Sequence, residues 1–171
     1  MANFNRLMTR GAVLTDDFAT SAQYEVGGIV QDENGNVYEY CMTADNETWA
    51  VGDCIILLTA GAEAIDTTND AAGGRCGICV KAVTGVASTA KYGFVLTKTG
   101  IGQVTSLNTA TSCAAAIGLQ TTSTAGRLDD AETVSVYGIV LGTATGGAAA
   151  VNTTAIVNYP YVALIPAHSH G

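Results

Sequence analysis

Cys76-Gly77-Ile78-Cys79 is the spacing in this sequence with the most chemical potential. Two thiols three residues apart serve a zinc site, which needs two further ligands at comparable spacing. They also serve a dithiol redox centre, whose first cysteine sits at a helix N-terminus where the dipole lowers its pKa. Neither context is present, because no second ligand pair follows and the segment reads as a strand. On an extended chain, residues three apart point to opposite faces, which predicts one thiol toward the core and the other outward. The five cysteines, Cys41, Cys54, Cys76, Cys79 and Cys113, are an odd number. The expectation is buried, reduced thiols that behave as small hydrophobes.

The other candidates are weaker. His168 and His170 share a face of an extended tail, and would make a metal site only where a symmetry axis gathered several chains. Asp129, Asp130 and Glu132 follow the turn-like "STAGRLD" without a calcium-loop pattern, so they read as a solvated loop. "GTATGGAAAVNTTA", 142 to 155, contains no lysine and reads as a flexible loop, not a phosphate loop. With the only two histidines in the tail, no Ser-His-Asp set can form around a nucleophile elbow. The reading is therefore a protein that is not an enzyme, with no catalytic residue, no metal and no cofactor.

The elements available to position side chains are short strands. In 24 to 43, Asn34-Gly35 between apolar-bearing runs predicts a β-hairpin with a type I′ turn, and Tyr38 and Tyr40 fall on one face at period two. In "TWAVGDCIILLTAG" a turn at Gly52-Asp53 leads into a buried strand. The stretch 61 to 75 reads as a loop, with "AEAI" offering at most one helical turn. Further strands are predicted over 76–83, 91–98, 101–107, 115–120, 133–142 and 155–165; only 109–118 offers a rival helix. "GICVKAVTG" (77–85) echoes "GIVLGTATG" (138–146), but the shared letters are those that pack and bend, so the echo is architectural. The fold class is all-β: a compact β-barrel or β-sandwich of short antiparallel strands, with residues 1–20 as an extended N-terminal arm and 21–171 as a single β domain.

Composition narrows the partners. Only 13 % of residues are charged, about half the usual share, so much of the surface is Thr, Ser, Asn, Gly and Ala, which is cheap to desolvate against a partner. A net charge of −8 opposes phosphate binding, and nucleic acid is not expected as a partner. The longest apolar run, "CIILLTA", is far too short for a membrane-spanning helix, and the first residues lack a secretory h-region, which predicts assembly in a cytoplasm.

Taken in order, "ENGNVYEY", "AVGDCIILL", "GICVKAVTG", "AKYGFVLTKTG" and "TTSTAGRLDD" before "YGIVLGTAT" resemble the series found in tailed-phage capsid decoration (cement) proteins. The resemblance spans residues 24 to 145, with Phe94 at the aromatic position of the "Y-G-[FW]-V" strand; Cys76 and Cys79 have no counterpart in the pattern. It implies an all-β protein that binds the outer surface of an assembled head, as homotrimers at capsomer junctions, with the major capsid protein as partner. It implies a location on the capsid exterior and no enzyme activity.

Two further expectations follow from the residues. Phe4, Leu7 and Met8 are apolar in a segment without strand or helix periodicity, and Asn3, Asn5 and Arg6 supply donors, so these six are the candidate capsid or inter-subunit contacts. Such an arm cannot offset its ordering entropy of about 1–2 kcal/mol per residue without burial, against a neighbour or as a cap on its own barrel. The alternative function is a receptor- or glycan-binding virion protein, with Trp49 or Tyr159 and Tyr161 as an exposed aromatic platform.

Overall fold

Residues 29–42 form the hairpin that the Asn-Gly signal marks, built from β1 (Ile29–Gln31) and β2 (Val37–Met42), but its turn differs from the expectation. Asn34 does not take a positive φ; only Gly35 does, at 83°. The Gly35 N–H donates to Asp32 O and the Asp32 N–H to Asn36 O, which is a type I turn closed by a glycine bulge. The cause is Asp32. Its Oδ1 accepts the N–H groups of Asn34 and Asn36, and its Oδ2 accepts Asn36 Nδ2 and the Tyr38 hydroxyl, so a side chain fastens the wider turn.

The computed structural model describes residues 17–111, 113–114, 118–130, 134–142 and 151–162. The strands after the hairpin are β3 (Cys54–Leu58), β4 (Gly61–Ala64), β5 (Gly74–Cys79), β6 (Tyr92–Lys98), β7 (Thr105–Thr109), β8 (Leu119–Thr121), β9 (Leu128–Asp129), β10 (Ser135–Leu141) and β11 (Val151–Val162). Among the described residues there is no α-helix, and the chain is all-β as the sequence implies. Boundaries differ from expectation in several places, among them β5, which ends at Cys79 instead of 83, and β9, which was not expected. Residues 61–64 are a strand and 70–72 one 3-10 turn, where a loop was expected; β7 starts at Thr105 after a turn at 101–102; β11 starts at Val151, inside the stretch read as a flexible loop.

The strands close into two rings. Strands β2, β6, β5, β3 and β4 pair in sequence, and the circuit closes where Thr43 bridges Ala62. Strands β11, β10, β8, β9 and β7 form the second circuit, closed by β7 pairing back to β11, with β7–β9 the one parallel pair of the circuit. β11 joins the rings through β5 and β6. The first ring encloses Cys41, Trp49, Ile55, Ala62, Cys79 and Val95, and Phe18 is buried there in a T-shaped contact with Trp49 at 5.5 Å. A larger core packs Cys54, Ile56, Cys76 and Ile78 against Leu107, Leu119, Leu128, Ile139 and Val157 of the second ring. Strands β3 and β5 are thus buried on both faces.

This two-sided burial corrects the reading of the Cys-x-x-Cys pair. Cys76 and Cys79 do point to opposite faces, but each face has its own core, so neither thiol is outward. The echo is also clarified. Gly77 lets β5 lie close to Val95, since a Cβ there would come within 2.7 Å of it, whereas Gly138, at φ 81°, sits at a bulge of β10. The same letters meet two different backbone demands. Outside the first ring, β1 covers Tyr40 and Phe94, with Tyr38 and Tyr92 packed alongside, as the period-two placement of Tyr38 and Tyr40 anticipates.

Candidate functional site

The cysteines are the first chemistry to settle. All five are buried thiols, and none is in a disulfide. Burial pushes the Cys79 thiol up to about 12 and raises Cys41 further; Cys54 is raised by its hydrogen bond with the Cys76 thiol and by burial. The Cys79 thiol also donates to Lys81 O at 3.0 Å. Such thiols are poor nucleophiles and poor metal ligands at neutral pH. Iodoacetamide at pH 8 is expected to leave Cys76 and Cys79 unmodified in the folded protein and to label them after denaturation. Quantitative native labelling, or stoichiometric zinc in the purified protein, would refute this. The same shifts set a pH dependence. The unfolded chain loses thiol protons from about pH 8.5, while the native state holds them to higher pH, so stability is full below that point and falls as pH rises toward 12. Melting temperatures from pH 7 to 11 check the slope.

Of the carboxylates read as a solvated loop, Asp129 and Asp130 are instead tied into the fold, and Glu132 lies outside the described residues. Asp129 is buried, and ligand atoms of Cys113, Asp129 and Asp130 lie within 4.8 Å of one another. Their bonding is local: Asp129 Oδ2 accepts the Thr111 hydroxyl at 2.6 Å, Asp129 Oδ1 accepts the Asp130 N–H, and Asp130 Oδ2 accepts the Ala114 N–H. These oxygens fasten the segment after β7 to β9. A cleft of about 240 Å³ opens at the mouth of the first ring, between Met42, Leu57, Leu58 and Ala62, with Glu39 and Arg75 facing it. The Glu39 carboxylate is nearly inaccessible and is held by Arg75 Nη1 at 2.5 Å. It is an ion pair at the cleft mouth, a buried carboxylate held by a guanidinium that stays 66 % exposed, with Arg75 on the same face of β5 as Gly77 and Cys79 by alternation.

Five exposed apolar and aromatic side chains gather on β10 and β11. Tyr137, Val140, Ile156, Tyr159 and Tyr161 are each about half exposed, at 47–53 %. Cross-strand register places Tyr137 opposite Tyr161 and Val140 opposite Ile156, and the first pair stacks with ring centres 5.2 Å apart. Two irregularities build the face. Gly138 takes φ 81° and shifts the register, so that Ile139 returns to the core after Tyr137 has pointed out. Opposite it, Tyr159 adopts φ 48°, a left-handed conformation that a tyrosine rarely takes. Asn158 and Tyr159 are in consequence both exposed, and the alternation resumes with Pro160 inward and Tyr161 outward. The bulge adds a third ring to the face, and Lys98 of β6 lies 5.5 Å from its centre. Tyr137, Val140, Ile156, Tyr159 and Tyr161 carry no carboxylate, thiol or imidazole, so what the face offers is apolar contact and three phenol hydroxyls.

Of the aromatic platform named from sequence, Tyr159 and Tyr161 belong to this face, but Trp49 does not. It is 1 % exposed, and its Nε1 donates to Glu47 Oε2 at 2.7 Å inside the first ring. Asn3, Phe4, Asn5, Arg6, Leu7, Met8, His168 and His170 lie outside the described residues. Tyr137, Val140 and Ile156 were missed by sequence reasoning; their signal was an outward residue directly across from another in two paired strands, which needs the register to be known. Comparison with known proteins returns no matching family model and no similar curated protein.

Proposed function

We propose that this protein is a capsid decoration protein, which binds as a homotrimer to the outer surface of an assembled phage head and stabilises its capsomer junctions through the major capsid protein. The observation that carries the reading is the β10–β11 face: five half-exposed apolar and aromatic side chains, on a chain with few charges, make a surface that gains free energy when covered. The role is passive. A ligand that binds only the assembled state shifts the equilibrium toward it by mass action, so each seated copy resists opening of the shell. The sequence resemblance supports the same partner, with the protein carried on the virion exterior after assembly in the host cytoplasm.

A second reading is a receptor- or glycan-binding virion protein, and the Tyr137–Tyr161 stack beside Tyr159 favours it, because paired phenol rings also receive the apolar face of a sugar. Mass spectrometry of purified particles separates the two: copy numbers in the hundreds fit decoration, and a handful fits a fibre or spike. A Tyr137→Ser, Tyr161→Ser double variant is expected to fold normally and to lose binding to heads that lack the protein. Full head binding by that variant would remove this face from the decoration reading.

A further inference from the structure

We infer that the cleft at the mouth of the first ring binds one free α-amino acid with an apolar side chain. The ligand's ammonium meets Glu39, its carboxylate meets Arg75, and its side chain lies against Leu57 and Ala62. The inference uses none of the residues of the β10–β11 face and stands apart from the head-binding reading.

The first observation is where the charges sit. Alternation along β2 sends Glu39 to the inward face of the first ring, the face on which Cys41 is core, and the Glu39 side chain is only 7 % exposed. An ion pair at such a position is weak ground for stability, because desolvating the two charges offsets most of their attraction and apolar groups of similar volume serve a core as well. What the pair adds is two opposite charges side by side in the wall of a cleft.

The second is what the pair leaves unused. Arg75 Nη1 donates to Glu39 Oε2, and among the described residues neither the other guanidinium N–H groups nor Glu39 Oε1 has a hydrogen-bond partner. Glu39 Oε1 is also not shut off from solvent, since among the described residues Gln120 Oε1 is the one buried side-chain atom left without a partner. An anion here meets the Glu39 charge, and a cation meets the Arg75 charge. A zwitterion satisfies both. Its ammonium and carboxylate are as close together as the protein's own pair, and set head to tail against that pair each forms a charge-assisted hydrogen bond.

The third is the remaining wall. Met42, Leu57 and Ala62 line the cleft with Val26, which is itself 53 % exposed; Leu57 and Ala62 belong to the apolar cluster inside the first ring. The volume of about 240 Å³ lies below the roughly 300–1,000 Å³ of pockets for drug-sized ligands. It suits one molecule the size of leucine or methionine, with the apolar side chain covered and the charged end at Glu39 and Arg75.

Isothermal titration of the full chain with L-leucine tests this, alongside leucinamide, which lacks the carboxylate, N-acetylleucine, which lacks the ammonium, and glycine, which lacks the side chain. The expected result is saturable binding of leucine and a melting temperature that rises with its concentration, with each of the three analogues weaker by about tenfold or more. Arg75→Gln and Glu39→Gln are expected to lose leucine to the same extent, with Trp49 emission reporting the fold; the analogue series on the unaltered chain decides the matter should either variant fail to fold. Leucinamide binding as well as leucine would make this a site for a cation alone, and N-acetylleucine binding as well would make it a site for an anion alone. Either result overturns the inference, as does no heat from leucine at about 10 mM or full leucine binding by both folded variants.

Discussion

Trp49→Ala is expected to cost the fold about 3–5 kcal/mol and to lower the melting temperature by about 10 °C or more. Trp49 is the chain's single tryptophan and is fully enclosed in the first ring. Its removal leaves Phe18 without its edge-to-face partner and opens a void among Ile55, Val83 and Val95. The indole N–H is also lost to Glu47 Oε2, which retains only the Ala64 N–H at 3.1 Å. Trp49→Phe, which keeps most of the volume and loses that hydrogen bond, is expected to cost about 1–2 kcal/mol. Differential scanning calorimetry on the two variants checks the pair. A Trp49→Ala protein that melted within 2–3 °C of the parent would place Trp49 outside a packed core, in line with the exposed platform expected from sequence.

The second large effect is expected at Asp53, which ties the two rings together. Its Oδ2 accepts the Ala50 N–H at 2.6 Å and its Oδ1 accepts Asn108 Nδ2 at 2.8 Å. Asn108, from β7 of the second ring, also donates through Nδ2 to Val51 O and through its backbone N–H to Gly52 O, and its Oδ1 accepts Asn152 Nδ2 from β11. Both Asp53 and Asn108 are buried, so deleting the carboxylate leaves donors in a site that water does not fill freely. Asp53→Ala should cost about 2–4 kcal/mol. A double-mutant cycle with Asn108→Ala in urea denaturation should give a coupling of about 1–3 kcal/mol between them. Strict additivity would show that the rings are held by packing alone.

Much of the architecture could be read from the residues because local chemistry and tertiary demand agree there. "ENGN" between apolar runs gives the hairpin, the Gly52-Asp53 turn leads into β3, and "YGFVLTK" is β6. Readings failed where a neighbour supplied what the local pattern omitted. Asp32 overrides the type I′ preference of Asn34-Gly35 by hydrogen-bonding a wider turn. "GAEA" lacks β-branched residues yet forms β4, because Ile55 to Leu58 pair with it and Ala44 N–H donates to Ala62 O. One thiol of the Cys76–Cys79 pair was expected outward because alternation implies one wet face, and here both faces carry a core; Asp129 was read as solvated because it follows a turn, and its side chain is buried. The β10–β11 face depends on a tyrosine at positive φ, a conformation that residue type argues against; Tyr159 and Tyr161 could be named from the sequence, but the Tyr137, Val140 and Ile156 that complete the face follow from a register that only the paired strands show.

β11 carries a further consequence, in mechanical terms. It is one unbroken strand of twelve residues that pairs antiparallel in turn with β7, β10, β6 and β5. A pull along such a strand loads its hydrogen bonds in shear, many at once, whereas a pull across an edge peels them singly. The Asn158–Pro160 bulge divides the ladder into a segment anchored to β7 and one anchored to β5. Tension along β11 is therefore shared by both rings, and the molecule behaves as a tie bar in the direction of that strand and as a far softer body across it.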